Sequence, residues 1–268
     1  MVDENQKGTA LFIPHGGGPL PLLDETLFQN MNRFLREFPE TSQKPDTIVV
    51  ISAHWEESTI SITASQNPPM LYDYTGFPAE SYELQYPAPG HPELANRIAG
   101  LLSAKGFESK FDYERGFDHG VFVPLLLMYP DADIPCIQIS LSSSLDADLH
   151  IQLGKALASL KNDNLLILGS GYSFHNMAVM MSATGQLSNE KNQLFETWLA
   201  QTCSDPDLSN TEREQRLADW EQAPHARYCH PREEHLLPLQ VCYGVGSGVA
   251  KTVFQEADSG FVTSGYQW

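Results

Sequence analysis

The chain has 268 residues, 41% of them hydrophobic, which is enough to build a substantial core. It carries 34 acidic residues against 16 lysines and arginines, a formal net charge of −18. Such a field repels phosphate and therefore argues against nucleic acid or an anionic membrane as a partner. An anionic substrate would need local positive charge, which a divalent metal could supply.

The N-terminus and the cysteines predict a cytoplasmic protein. The first residues, Met1 to Asn5, are polar and acidic and have neither the basic region nor the apolar run of a signal peptide. No apolar run approaches the roughly 18 residues that span a bilayer. The four cysteines include no C-x-x-C pair, so we expect reduced thiols.

Short apolar runs alternate with amphipathic stretches along the chain. Strands are predicted over 9–15, 46–54, 58–64, 134–141, 165–170 and 249–254, and helices over 22–38, 92–104, 121–128, 146–160, 190–202, 211–220 and 231–243. We see no repeat and no linker. The prediction is one α/β domain over 1–268, with a central mixed, mostly parallel sheet flanked by helices and the site at the carboxyl ends of the strands.

A long loop over 72–90 is dense in aromatic residues and proline. Irregular loops of this length are uncommon in compact domains and are usually functional. Two interpretations are equally open: the loop walls a pocket, or it is a lid packed for stability.

Three of the apolar runs lead to a histidine: the first ends at His15, the second at His54, and the third continues through Gly169-Ser170-Gly171 to His175. Parallel strands present their carboxyl ends at one edge of the sheet, where ligands bind. Neutral imidazoles that converge there are typical of a transition-metal site.

The segment His230-Pro231-Arg232-Glu233-Glu234-His235 offers further candidates. His230 is either a helix cap or the third ligand, and Glu234 and His235 are alternatives for the same position. His119 follows Asp118 in a turn or at a pocket. His91, His150 and His225 are expected to be surface or capping residues.

Several of these segments together resemble one enzyme class. They are Phe12-Ile13-Pro14-His15-Gly16, Ile51-Ser52-Ala53-His54-Trp55-Glu56, Tyr72-Asp73-Tyr74-Thr75-Gly76-Phe77-Pro78, Tyr86-Pro87-Ala88-Pro89-Gly90, Phe117-Asp118-His119-Gly120, Gly169-Ser170-Gly171 through His175-Asn176, and 230–235. Over about residues 10–245, their order and spacing resemble the class III extradiol ring-cleavage dioxygenases, in the DOPA 4,5-dioxygenase-like branch.

The resemblance implies a non-haem metal enzyme that opens a catechol ring with O2. It makes His15, His54 and His230 the metal ligands, His175 the acid/base, and His119 a second polar group facing the substrate. Better-studied members of the class hold Fe(II) with two histidines and a glutamate, so Glu234 is the carboxylate alternative here. Fe(II) is the expected working metal, and Zn(II) also suits three imidazoles, including as the ion in purified protein.

Two other functions remain open at this point. The same histidines could activate water in a zinc-dependent amide or ester hydrolase, or hold a metal in a non-enzymatic scaffold. A small catechol-type substrate and O2 are the expected partners, and the oligomeric state, including a homo-oligomer, is left open.

Overall fold

The computed structural model describes residues 8–182, 189–257 and 260–268. Within these residues, eight strands form one sheet in the order β4-β3-β5-β2-β6-β1-β8-β7. The strands are β1 (Thr9–Pro14), β2 (Thr47–Glu57), β3 (Ile60–Thr63), β4 (Ser109–Asp112), β5 (Cys136–Ser142), β6 (Leu165–Gly171), β7 (Lys251–Glu256) and β8 (Thr263–Gln267).

The sheet is mixed and mostly parallel, which confirms the predicted fold class. The pairs β1/β6, β2/β6, β2/β5 and β3/β4 are parallel, whereas β3/β5, β1/β8 and β7/β8 are antiparallel.

Helices cover both faces of the sheet. In the described part of the chain they are α1 (Leu20–Leu23), α2 (Gln29–Glu37), α3 (Pro92–Ala104), α4 (His119–Met128), α5 (Ala147–Leu157), α6 (Met177–Met180), α7 (Glu190–Ser204), α8 (Asn210–Ala218), α9 (Ala226–Cys229) and α10 (Leu237–Gly246). No helix among the described residues is both long and apolar enough to cross a bilayer.

Burial on two faces explains the continuous apolar runs. Successive residues of β6 alternate between two hydrophobic clusters, with Ile167 in the cluster under α5 and α10 and Leu166 and Leu168 in the cluster under α2 and α4. A strand covered on both sides needs apolar residues at every position rather than at every second one.

Some element boundaries were predicted wrongly. The helix expected over 22–38 is two helices, because the Asp24 side chain accepts hydrogen bonds from the Thr26 amide and hydroxyl and stabilises a turn. The helix expected from Pro231 begins instead at Leu237, with Pro238 in its first turn, so 230–236 is not helical. Strands β4 and β8 were missed because both are short and largely polar.

The sheet brings the ends of three strands together. β6 lies between β1 and β2, with Pro14 opposite Gly171 and Ser52 opposite Ser170. His15 directly follows β1. His54 lies where the pairing of β2 with β5 is irregular, since Ile51 pairs with Ile139 but Glu56 already pairs with Leu141. Irregular pairing of this kind re-aims side chains and is common beside active sites.

Candidate active site

His15 and His54 point their imidazoles at each other across the edge of the sheet. The two Nε2 atoms are 3.1 Å apart. His15 Nδ1 lies 2.9 Å from the Ser170 hydroxyl, which itself donates to the Gly120 carbonyl. The Ser170 oxygen must therefore accept a hydrogen bond from His15 Nδ1–H, and this tautomer leaves the lone pair of His15 Nε2 directed at His54.

A buried polar network holds the end of β2 that carries His54. The His54 amide donates to the Ser52 hydroxyl over 3.2 Å, and that hydroxyl donates to Asp118 over 2.7 Å. The buried Asp118 carboxylate also accepts from Gln138 at 2.5 Å and from Arg115 at 3.0 Å. Arg115 also donates to the His54 carbonyl over 3.1 Å, so the network holds both the amide and the carbonyl of His54.

His119 is anchored by a residue of the aromatic loop. Both its backbone amide and its Nδ1 contact Asp73, at 2.9 Å and at 2.8 and 2.9 Å to the two carboxylate oxygens. The ring centroid of His119 is 3.9 Å from that of His54 and 5.3 Å from that of His15. Asp73 was not predicted as a site residue, although it lies between two tyrosines of a segment that carried the family resemblance.

A second group, His175, Glu234 and His235, completes the cluster. The His235 ring centroid lies 5.3 Å from that of His15 and 5.0 Å from that of His54. His235 Nδ1 is 3.0 Å from the Glu234 carboxylate, and His175 Nδ1 is 3.3 Å from the same oxygen. The rings of His175 and His235 stack with centroids 3.4 Å apart.

His230 lies outside this cluster. Its Nε2 donates to the Ser173 carbonyl over 2.7 Å, and its ring packs against Phe195 and Trp220 at 5.5 and 5.8 Å. The structure therefore brings together four of the five predicted site residues, and His235 occupies the place expected for His230. The physical reason is the late start of α10, since the non-helical segment 230–236 turns His230 and His235 in different directions.

The remaining histidines were assigned surface or capping positions. His91 caps α3 by accepting from the Leu94 amide, and His225 precedes α9 on the surface. His150 departs from the expectation: it is fully buried, donates Nδ1–H to the Asp146 carbonyl and accepts from the Ser142 amide.

Burial keeps three imidazoles of the cluster neutral, those of His15, His54 and His235. Burial, together with the neighbouring histidines, holds the pKa of His15 well below its usual range, and burial does the same to the pKa of His235 despite Glu234. Burial and His119 lower the pKa of His54 to about 4, although Asp118 and Asp73 oppose the shift. Burial acts to raise the pKa of Glu234, but its bonds to His175 and His235 outweigh burial and keep the carboxyl ionised.

These features suit a transition metal. Two sets of side chains each place their donor atoms within 4.8 Å of one another: His15, His54 and His119, and His175, Glu234 and His235. Two imidazole nitrogens bound at right angles to one ion, with bonds of about 2.1 Å, lie about 3.0 Å apart. The 3.1 Å separation of the His15 and His54 nitrogens matches this value.

A cavity of about 540 Å³ adjoins the cluster through His175, Tyr172 and the glycines that follow His15. This volume lies in the range of small-molecule sites. The aromatic loop also approaches the cluster, where the ring centroids of Tyr74 and His119 are 6.0 Å apart.

Comparisons with known proteins agree on one family. The family model described as the catalytic LigB subunit of aromatic ring-opening dioxygenase matches residues 9–264. The chain is 38% identical over 270 residues to a 4,5-DOPA dioxygenase extradiol of Beta vulgaris, covering 99% of this chain and 97% of that protein. It is 37% identical to the protein of the same name from Portulaca grandiflora, over 96% and 93% of the two chains.

A solved structure shares the fold. The crystal structure of an uncharacterized protein from Escherichia coli K12 superposes with a TM-score of 0.78 at 29% identity, covering 97% of this chain and 99% of that one. Sequence and fold therefore agree over nearly the whole chain. The protein belongs to the LigB family and is a metal-dependent extradiol ring-opening dioxygenase of class III, in the DOPA dioxygenase-like branch.

Proposed function

We propose that this enzyme inserts both atoms of O2 into a catechol at a divalent metal held by His15, His54 and His235. The observation that carries the proposal is the convergence of three imidazoles that burial keeps neutral, two of which have the second ring nitrogen engaged by another side chain. The Ser170 hydroxyl accepts a hydrogen bond from Nδ1–H of His15, and the Glu234 carboxylate accepts one from Nδ1–H of His235. Metal-bound histidines usually carry a partner of this kind on the second ring nitrogen.

The choice of His235 rests on ring geometry. The centroids of two imidazoles that share an ion at right angles lie about 4.6 Å apart, given bonds of about 2.1 Å. The three pairs among His15, His54 and His235 are 4.9, 5.0 and 5.3 Å apart. The His54 and His119 rings, at 3.9 Å, stand closer than ligands of one ion would.

Fe(II) is the metal we propose for turnover. It would supply open coordination positions and the redox chemistry that joins a bound catecholate to O2. Three imidazoles also bind Zn(II) well, so purified protein can carry zinc in the same place.

His175 is proposed to move the catechol proton. Its Nδ1 faces the Glu234 carboxylate, which leaves Nε2 to accept a proton from a substrate hydroxyl and to return it later. Histidine suits this work because it exchanges protons near neutral pH. His175 also lines the cavity, so its ring is accessible from the side where a substrate would enter.

His119 is proposed as the second group that contacts the substrate. Asp73 receives its Nδ1–H, which fixes the ring and leaves Nε2 free to hydrogen-bond a catechol oxygen. In this proposal the loop over 72–90 therefore positions a site residue, although none of its residues is among those that line the cavity.

Anaerobic loading with Fe(II), followed by a panel of catechols and then air, tests this function. We expect O2 uptake with a yellow ring-opened product. His175→Ala should still bind catechols without oxygen but lose turnover by about 10²- to 10⁴-fold, because the proton acceptor is gone. His225→Asn, which changes an exposed histidine outside the cluster, is the matched control and should retain full activity.

Two results would overturn the proposal. One is a loaded enzyme that converts no catechol in the panel. The other is oxygen-independent cleavage of esters or amides by the zinc form, which would point to a hydrolase.

A further inference from the structure

Two of the three proposed metal ligands, His15 and His235, have a hydrogen-bond acceptor on the second ring nitrogen. The third, His54, turns Nε2 toward His15 and Nδ1 toward Asp73. His54 Nδ1 lies 3.6 Å from Oδ2 of the Asp73 carboxylate, a gap longer than a hydrogen bond but small enough for a side-chain adjustment to close. Asp73 thus lies where an acceptor for the third ligand is expected.

The Asp73 carboxylate has room for a further donor. Oδ1 accepts from the His119 amide over 2.9 Å and lies 2.8 Å from His119 Nδ1, and Oδ2 lies 2.9 Å from the same nitrogen. An ionised carboxylate offers about four lone-pair sites, so the two N–H groups of His119 leave capacity for one from His54. Because the Asp73 side chain is only 18% exposed, water competes weakly for that capacity.

The need for this acceptor follows from the proposed function, on which the inference rests. When Nε2 of His54 holds a metal, the ring proton can reside only on Nδ1, the nitrogen that faces Asp73. A carboxylate that accepts a hydrogen bond from this N–H fixes the ring and makes it a stronger ligand. The contact between His54 and Asp73 therefore favours the metal-bound form of the site.

Asp73 belongs to a loop that is closed on itself. The Tyr72 hydroxyl donates to the Leu84 carbonyl and the Tyr74 hydroxyl to the Ser81 carbonyl, each over 2.6 Å. The two tyrosines flank Asp73 in sequence, so the position of its carboxylate depends on how the whole loop is seated against the histidines.

From these observations we infer that Asp73 is a positioning residue for His54 as well as for His119, and that it couples metal binding to the seating of the loop over 72–90. Coupling between two equilibria is reciprocal. Metal binding therefore stabilises the seated loop by the same factor by which the seated loop strengthens metal binding. One carboxylate thus serves a proposed ligand and a proposed substrate contact at once.

Amide hydrogen exchange, followed by mass spectrometry, tests the coupling without turnover. Saturating Zn(II) should slow exchange of the amides in 72–90 of the wild-type protein by at least about threefold, because it favours the seated loop. Asp73→Asn keeps the shape of the side chain but weakens it as an acceptor, so Zn(II) should leave loop exchange in this variant nearly unchanged. If Asp73 served loop packing alone, the substitution would speed exchange equally with and without Zn(II).

Zn(II) affinity, measured by competition with a chelating dye, separates the two histidines that Asp73 serves. Asp73→Asn should weaken Zn(II) binding by about 10- to 100-fold, the usual effect of removing a partner of a metal-bound histidine. His119→Ala should leave the affinity nearly unchanged. Asp73→Asn added to His119→Ala should again cost about 10- to 100-fold, since His54 still loses its acceptor.

A matched control and a spectrum isolate the contact with His54. Glu80→Gln removes an exposed carboxylate from the same loop and should leave Zn(II) affinity unchanged. The visible absorption bands of Co(II) bound in the site report its ligand field. These bands should shift in Asp73→Asn and not in Glu80→Gln, because only Asp73 contacts a proposed ligand.

The outcomes separate the inference from the proposed function. Zn(II) binding by Asp73→Asn that is as tight as in wild type overturns the inference alone, and so does loop exchange in wild type that does not respond to Zn(II). An equal loss of affinity in Glu80→Gln also overturns it, since the charge of the loop rather than the contact with His54 would then govern binding. If the wild-type protein binds neither Zn(II) nor Fe(II), or converts no catechol, the proposed function itself is overturned.

Discussion

His230 and His235 lie five residues apart, and both are buried, but their ring nitrogens have different surroundings. His230 Nε2 is bound to the Ser173 carbonyl, in the stretch that leads from β6 to His175. The amide of His175 donates in turn to the Cys229 carbonyl. His230 therefore holds the backbone that carries His175, whereas His235 faces His15 and His54.

Substitutions at these two positions should affect different properties: His235 should matter for metal binding, and His230 for stability. His235→Ala should lower Fe(II) or Zn(II) affinity by at least about 100-fold, because one proposed ligand is lost. His230→Ala should leave the metal stoichiometry unchanged but lower the free energy of unfolding by about 1–3 kcal/mol, since the buried Ser173 carbonyl loses its donor. Metal analysis of folded protein and urea denaturation measure the two effects.

Two further variants test which histidine is the third metal ligand. His230→Gln retains a donor near Ser173 and covers the case in which the alanine variant does not fold. His119→Ala should keep the metal and lose activity. Loss of metal in His119→Ala with retention in His235→Ala would move the third ligand to His119, and loss of metal in His230→Gln would return it to His230.

Helices α5 and α10 approach each other closely enough to require glycine. A Cβ atom on Gly154 would collide with the Val241 carbonyl oxygen and lie 2.8 Å from the Gly244 Cα. Helix α10 begins two residues after His235, so this contact also anchors the helix behind a proposed ligand. The packing of two elements on the sheet thus fixes where the segment 230–236 ends.

Gly154→Ala should lower the free energy of unfolding by about 1–3 kcal/mol, because the added methyl group must push α10 away from α5. Gly100→Ala in α3 is the matched control, since a Cβ atom there meets nothing within 4 Å. That control should gain about 0.5–1 kcal/mol from helix propensity. Equal effects of the two substitutions in denaturant melts would rule out the close contact as the cause.

In the described part of the chain, one carboxyl group is buried with no cation beside it. Glu196 on α7 is fully buried and accepts a 2.7 Å hydrogen bond from the Ser264 hydroxyl at β8. Burial raises the pKa of Glu196 to about 7, although bonds from Ser173 and Ser264 oppose the shift. The folded protein therefore binds a proton that the unfolded chain releases at lower pH.

The stability cost of this group should depend on pH. Between about pH 4.5 and pH 7 the folded state holds more protons than the unfolded state, so the contribution of Glu196 to stability falls as pH rises. Relative to wild type, Glu196→Gln should gain up to about 3 kcal/mol from pH 5 to pH 8, measured by denaturant melts. Glu190→Gln removes an exposed carboxylate from the same helix and isolates this effect from net charge. A difference between wild type and Glu196→Gln that does not change with pH would contradict the prediction.

The fold could be predicted from sequence because its signals are local. The apolar runs that became β1, β2 and β6 are long enough to be recognised without any tertiary contact, and parallel strands bring the ends that carry His15 and His54 to one edge. The short polar strands β4 and β8 exist only because neighbouring strands offer hydrogen bonds, so no local signal revealed them. Asp73 was overlooked for a related reason, since its partner His119 lies 46 residues away.

The α/β class and the histidines that follow strands can be predicted from the sequence alone. The family can be predicted as well, because its motifs occur in order along nearly the whole chain. Which histidine of 230–235 faces His15 and His54 depends instead on tertiary packing. The six residues allow several turns, and the packing of α10 on α5 and the sheet selects one of them. Tertiary packing also determines the surroundings of each imidazole, since Ser170, Asp73 and Glu234 reach the site from three separate parts of the chain.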